Sequence, residues 1–402
     1  MKNKIRNDFP FFKNTKNKVI YFDNAASTHK PKSVIESKLN FYSKKYSSIH
    51  RGSYDLSNEI TVKVEKIRKK IAKFINAKSF KEIIFTKNTT EGINLVANWI
   101  CNIIKKKENI VISIMEHHSN IIPWQIVSIK KNLKLKYIPL LKNGNLNLNL
   151  INKIVNENTK VFSITHLSNV LGIVNPIKKI VKIVRKLSNA IIIIDGAQYV
   201  AHNVLDVSKI DCDFYVFSGH KMYGPTGIGV LYGKKKILEN VDPLIFGGGI
   251  VNDLNIVKKK IKICDIPWKL EAGTPNISGI IGLGAAINYI NKIKISNIVC
   301  YETKLVSYLF KKLKEIKGII IYGSELRSGI ISFNIKNLHS YDVGSFLNQY
   351  GIYIRTGYHC AIPLIRHFNV SGMCRISLAI YNNLDEINYL IKKINKIKKL
   401  LY

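Results

Sequence analysis

The sequence predicts an α/β protein with a mostly parallel central sheet flanked by helices, followed by a smaller α+β C-terminal domain. Three observations lead to this. Helix-period and strand-like segments alternate through the first three quarters of the chain, the order that builds a parallel sheet covered on both faces. The run of four Ile before Asp195 is apolar on both parities, as a strand buried on both sides must be. Finally, 402 residues, 46% of them hydrophobic, suit one large domain plus a smaller one with enough apolar matter for a sizeable core, and exclude disorder as the main state.

In chain order, Glu82–Phe85 reads as a strand, Glu91–Ile104 as a helix and Asn109–Ile114 as a strand. Ile121–Lys130 is helical, and Leu135–Pro139 and Val161–Thr165 are strands. The helix Ile177–Leu187 precedes the strands Ala190–Asp195 and Phe214–Ser218. Helices Ser278–Asn291 and Ser296–Lys317 lead into strands Ile319–Tyr322, Ile330–Ile335 and Ile352–Arg355, and a last helix starts at Leu384. The expected domains are residues 21–293 and 294–402, with residues 1–20 packing as an N-terminal segment on the small domain.

The net charge is +37. A nucleic-acid or membrane-surface partner would explain it, but the pattern argues otherwise. There are only eight Arg against 55 Lys, and the Lys are scattered over the whole chain with Asn and Ile. Dedicated nucleic-acid surfaces cluster Arg and interleave aromatics. We therefore expect no specific nucleic acid, and an Arg in so Lys-rich a chain marks a place where the bidentate fork is needed. No apolar run reaches the roughly 18 residues of a membrane helix, so no membrane partner is expected. The N-terminus has no apolar h-region of a secretory signal. Six Cys without zinc spacing or CxxC pairs fit a reducing, cytoplasmic setting.

Functional residues of open α/β sheets gather at the carboxyl ends of strands. Asp195 closes a doubly buried strand, which is costly unless a cation awaits it; a helix cap, a ribose ligand and a partner for a protonated heterocyclic nitrogen are the readings. Lys221 lies between an apolar strand and a Gly-rich turn, where desolvation makes an amine a Schiff-base former, although most Lys are surface residues. Thr89 and Thr90 open a helix, where hydroxyls and free N–H groups form an anion site or a simple cap. His117 and His118 follow another strand; adjacent His diverge and no third metal ligand is evident, so no metal is expected, and an imidazole stacked on an aromatic cofactor fits better. An Asp for a ring nitrogen, a Lys for an imine and a helix N-terminus for a phosphate are together the handles of pyridoxal 5′-phosphate.

The motifs YFDNAAST, HRGSYDLS, TTEGINLVAN, MEHHSNIIPWQ, THLSNVLG, DGAQ, CDFYVFSGHKMYGPTGIG, EAGTPN, YDVGSFL, RTGYHCA and MCRISLA cover nearly the whole chain. In them the sequence resembles the group II, SufS-type cysteine desulfurases of the class V aminotransferase superfamily, which are pyridoxal phosphate enzymes of fold type I. The resemblance implies that Lys221 is the Schiff-base lysine, that Asp195 pairs with the pyridine nitrogen and that Gln198 reaches the ring hydroxyl. It implies that His118 stacks on the ring and that Thr89, Thr90, Ser218 and His220 hold the phosphate, with Thr274 reaching the phosphate of the other subunit of a homodimer. Asn169, Arg355 and Arg375 would surround the substrate, Arg375 clamping its carboxylate. Cys360 would be the catalytic sulfur acceptor. Two of these assignments have independent physical support. Bidentate carboxylate recognition is an Arg task, and Cys360 follows Arg355 and His359 closely in sequence, a setting that favours the thiolate.

The implied reaction converts L-cysteine to L-alanine and leaves a persulfide on Cys360, for delivery to a SufE-like acceptor protein and iron–sulfur cluster assembly. The same pocket would serve a selenocysteine lyase or a cysteine-sulfinate desulfinase; a class V aminotransferase would not need Cys360. Two departures stand out. Tyr358 replaces the family's usual His, and the segment after Gly249, through about Lys262, where the family forms a β-hairpin, is unusually rich in Lys and Asn.

Overall fold

The computed structural model describes residues 5–15 and 19–401, with the backbone alone for 398–401. Residues 1–4 and 16–18 of the expected N-terminal segment lie outside the described residues. Two strands begin the chain's framework, β1 (Ile20–Tyr21) and, after helices α1 (Lys32–Lys44) and α2 (Asp55–Phe74), β2 (Ile83–Thr86). Then come α3 (Thr89–Ile103), β3 (Asn109–Ser113), α4 (Ile122–Lys131), β4 (Lys134–Ile138) and β5 (Thr159–Thr165). Helix α5 (Ile177–Leu187) leads to β6 (Ile191–Asp195), β7 (Phe214–Ser218) and β8 (Gly229–Gly233).

β2 to β8 form one seven-stranded sheet in the order β2-β8-β7-β6-β5-β3-β4. Only β8 runs antiparallel to its neighbours. The two-sided burial expected of the Ile run is present. Ile192 and Ile194 enter the core on one face and Ile193 the core on the other. Tyr215 and Phe217 of β7 likewise oppose Phe214 and Val216, the period-2 alternation of a strand covered on both sides. β8, whose sequence is GVLYG, was not expected. It is short and bounded by Gly, and it pairs with β7 just before it on one side and with β2, far away in sequence, on the other.

The antiparallel hairpin β9 (Val251–Asn255) and β10 (Lys260–Ile263) follows, where the resemblance implied one. Helices α6 (Ile277–Ile293) and α7 (Ile295–Lys314) lead to the second sheet. It contains β11 (Ile319–Tyr322), β12 (Ile330–Ile335), β14 (Arg355–Gly357) and β15 (Met373–Ser377), in the order β11-β12-β15-β14. Helices α8 (Ser340–Gln349) and α9 (Leu384–Leu401) cover it over a separate core that includes Phe333, Leu347, Ile376 and Leu390. The expected strand Ile352–Arg355 is broken in two. β13 (Ile352–Tyr353) pairs parallel with β1, whereas β14 pairs with β15. The break at Ile354 lets Arg355 turn away from β1 towards the large sheet's carboxyl edge.

The N-terminal turn is tied on both sides. Arg6 donates to the Tyr381 carbonyl at 2.9 Å and pairs with Glu386 at 2.7 Å. Phe9 packs against Tyr223, Tyr289 and Tyr381. None of the described helices is long and apolar enough to cross a membrane.

Candidate active site

The carboxyl ends of β5, β6 and β7 form the floor of a cavity of about 210 Å3. Asp195, the last residue of β6, is buried, and its Oδ1 accepts the Ala197 N–H at 2.9 Å. Burial pushes its pKa up, against the pull of that N–H and of Lys221. Lys221 ends the single turn after β7. Desolvation brings its amine down to about 8, and the charges of Arg375 and Arg355 push the same way while Asp195 opposes them. A buried amine near neutrality is a usable nucleophile and base.

At one side, Asn88 caps α3 by accepting the Glu91 N–H at 2.9 Å. This aims the first turn of the helix into the cavity. Thr89 donates its N–H to Ser218 Oγ at 2.8 Å, and the two hydroxyls lie 2.7 Å apart. Thr90 meets Ser119 at 2.7 Å. His220 lines the same wall, and burial with Lys221 and Lys30 nearby lowers its pKa to about 4. Hydroxyls, N–H groups and a helix N-terminus make this an anion site.

The small domain closes the cavity. Arg375 is buried; its Nη1 donates to the Asn169 carbonyl at 3.0 Å and its Nη2 to Asp23 Oδ1 at 2.8 Å. Arg355 stands 4.0 Å from Asp23 and is 41% exposed at its side chain. Asn169 donates its amide to the His359 carbonyl at 2.8 Å. Cys360 lines the cavity with them. Asn169, Gln198, Thr89, Thr90, Ser218 and His220 also line it, so most of the predicted residues converge.

Two predicted residues stand apart. His117, rather than His118, lines the cavity. The short turn His118–Asn120 explains this. His117 caps it, its Nδ1 accepting the Ser119 N–H at 3.1 Å, so its ring stays on the inner side. Burial, then Lys221, lowers its pKa to about 3, which keeps the ring neutral. His118 turns the other way. Its N–H donates to the Cys360 carbonyl at 2.7 Å and its Nε2 accepts the Ile362 N–H at 3.2 Å. Thr274 lies in another cavity with Thr86, Lys87, Leu244 and Ile245, outside that of its own Lys221.

Sequence reasoning missed Ala25 and Ala26 of the lining, and Asp23, which orients Arg375. The alanines carry no chemical signal. His359 Nε2 meets the Met373 carbonyl at 2.9 Å. Of the other cysteines, Cys212 and Cys374 are buried, with their thiols pushed well up.

The cavity suits an aromatic phosphate ester. Gln198 Nε2 donates to the Ala25 carbonyl at 2.7 Å, which leaves its Oε1 buried without a partner, ready to accept a hydroxyl. Arg375 Nε is likewise unpartnered. A flat neutral ring, His117, and a carboxylate, Asp195, complete the set.

Residues 20–390 match the family described as aminotransferase class-V, and the chain belongs to that family. Within it, the chain is 52% identical over 400 residues to a cysteine desulfurase of Wigglesworthia glossinidia brevipalpis, covering 99% of this chain and 97% of the relative. Its structure matches the apo cysteine desulfurase of Thermococcus onnurineus NA1 with a TM-score of 0.94 at 38% identity, covering 99% and 98% of the two chains. The cysteine desulfurase CsdA of Escherichia coli matches with a TM-score of 0.92 at 32% identity, covering 100% and 99%.

Proposed function

We infer that the protein is a pyridoxal 5′-phosphate-dependent cysteine desulfurase, which takes sulfur from L-cysteine and releases L-alanine. The observation that carries this reading is Cys360 in one cavity with Lys221 and Arg375. An aminotransferase needs the amine and the carboxylate clamp but no thiol.

Thr89, Thr90, Ser218 and His220 hold the cofactor's phosphate, Asp195 its ring nitrogen, Gln198 its ring hydroxyl, and His117 covers its face. Bound there, the cofactor supplies an electron sink for bonds broken at the substrate's α and β carbons. The residues of the chain do the rest. Arg375, fixed by Asp23 and Asn169, receives the substrate carboxylate. The Lys221 amine takes the α proton and returns a proton to the product. Cys360 attacks the substrate sulfur; the carbon–sulfur bond breaks, a sulfur–sulfur bond forms, and cysteine plus thiol becomes alanine plus persulfide. His117, neutral in its buried setting, adds no charge that would compete with Asp195.

Cys360 sits between β14 and the short helix Ile362–His367, so the persulfide has little reach. A SufE-like acceptor thiol therefore comes to it, and sulfur passes on by exchange to iron–sulfur cluster assembly. The working unit is a homodimer. Ile35, Leu39 and Tyr42 leave an exposed apolar stripe at helical spacing along α1, with Tyr46 exposed just beyond its end, and the hairpin exposes Leu254, Ile256, Val257 and Ile261. Thr274, away from its own subunit's cavity, is then free to reach the partner's phosphate. Six unpaired cysteines suit the reducing cytoplasm.

The test is purified protein with L-cysteine and pyridoxal phosphate. Alanine should form in step with a persulfide on Cys360, and Cys360→Ala should make neither while still binding cofactor. Alanine formation by that variant at the wild-type rate, or dependence on a 2-oxo acid as amino acceptor, defeats the reading.

A further inference from the structure

Glu116, one residue before His117, is sealed in the large domain with no exposure at all. Ser113 Oγ meets its Oε1, Asn120 Nδ2 donates to its Oε2 at 2.7 Å, and the Thr165 backbone reaches it as well. None of these partners carries a charge. Among the described residues no Lys, Arg or His pairs with it, and the charged group it faces is Asp195. The two acids lie on either side of β5, because Thr165 is the register partner of Asp195.

The hydrogen bonds leave little freedom. Asn120 Oδ1 accepts from Trp124 Nε1 at 3.0 Å and from Ser163 Oγ at 2.6 Å, so its amide nitrogen is committed to Glu116. One carboxyl thus ties the His117 segment to β3 and β5, and through Asn120 to α4. Two buried carboxylates cannot both stay ionised cheaply in a dry site. Asp195 has the Lys221 amine nearby and Glu116 has no cation. Burial above all, with the charge of Asp195 adding to it, pushes the Glu116 pKa up to about 8 against the pull of its hydrogen bonds.

We propose that Glu116 is held as a neutral carboxylic acid and acts as a positioning residue, fixing the turn that points His117 into the cavity without adding a second negative charge beside Asp195. Its proton lies between Oε1 and the Ser113 hydroxyl. The proposal rests on the cofactor reading of Asp195 and His117, and its first test does not depend on turnover.

Infrared spectroscopy of the holoenzyme at neutral pH should show the carbonyl stretch of a buried protonated acid, absent from Glu116→Gln. Without such a band in the wild type, Glu116 is ionised and the proposal fails, whatever the protein catalyses. The Gln variant keeps shape and neutrality, so its kcat should stay within about twofold, and the pH titration of the cofactor's visible absorbance should not move. A shifted titration would mean that a charge had been removed, and would overturn the neutral state. Glu116→Ala strands Asn120 and frees the turn. It should lose about tenfold in kcat with little change in KM for cysteine, with an altered cofactor spectrum that Gln restores. Alanine as active as wild type would overturn the positioning role. If the alanine variant does not fold, Glu116→Asp, whose shortened carboxyl cannot span Ser113 and Asn120, replaces it with the same expectation.

Discussion

The floor of the cavity and the wall that carries its thiol meet the same substrate but are built differently. Asp195 and Ser218 end buried strands β6 and β7, with cores packed on both faces behind them. The wall is a loop of the small domain in which His359 and Cys360 both have left-handed backbones, at φ 52° and 55°. Such angles cost an L-residue on the order of 1 kcal/mol each. A handful of bonds hold the loop there: His118 to the Cys360 carbonyl and from the Ile362 N–H, Asn169 to the His359 carbonyl, the His359 ring at the Met373 carbonyl, and the Ala361 N–H to the Tyr358 carbonyl. The difference follows from the chemistry proposed for the two regions. An electron sink needs a charge fixed in a dry place, whereas a sulfur carrier must meet a substrate inside and an acceptor outside.

The largest effect is expected at the floor. Lys221→Ala should lose the visible absorbance of covalently held cofactor and about 10³-fold or more in alanine formation. Turnover surviving in that variant would move the chemistry away from the end of β7. Asp195→Asn should keep cofactor but lose about 10²-fold, because a neutral partner no longer favours the protonated ring. A rate equal to wild type would show that Asp195 does not face the ring.

The floor was far more legible in the sequence than the wall. Four Ile before an Asp report burial on both faces and a carboxylate at a strand end, both set by local pattern. FYVFS running into Gly-His-Lys221 reports the same for the amine. The wall depends on contacts that cross the chain. Arg375 is oriented by Asp23, 352 positions away, and β13 and β14 part because β1, far away in sequence, claims the first and β15 the second. Between His117 and His118 nothing in composition distinguishes inside from outside. A three-residue turn and the Cys360 loop decide it, and neither shows in periodicity.

That pair of histidines offers the sharpest test between the two regions. His117→Ala should alter the cofactor spectrum and lower kcat by about tenfold or more, since a ring on the cofactor face is removed. His118→Ala should leave the spectrum alone. It removes one acceptor from the Ile362 N–H, worth about 1 kcal/mol, and so loosens the Cys360 loop. Persulfide formation should slow severalfold while cofactor binding holds. A spectral change confined to His118→Ala would reverse the assignment of the two rings.

The smallest effect is expected at Tyr358, where the cysteine desulfurases that this sequence resembles usually carry His. Its side chain is 49% exposed and is not among those lining the cavity. The strained backbone begins one residue later, and the bonds that hold it come from His118, Asn169 and the His359 ring, which Tyr358→His leaves in place. A half-exposed exchange of this kind shifts energies by about 0.5 kcal/mol or less, so kcat with cysteine should change by no more than about twofold. The rate of sulfur transfer to a SufE-like thiol protein is the companion measurement, because Tyr358 is exposed two residues from Cys360. A gain of tenfold or more in cysteine turnover on restoring His would show that a donor at 358 takes part inside the cavity. A gain confined to transfer would place that residue on the acceptor's path.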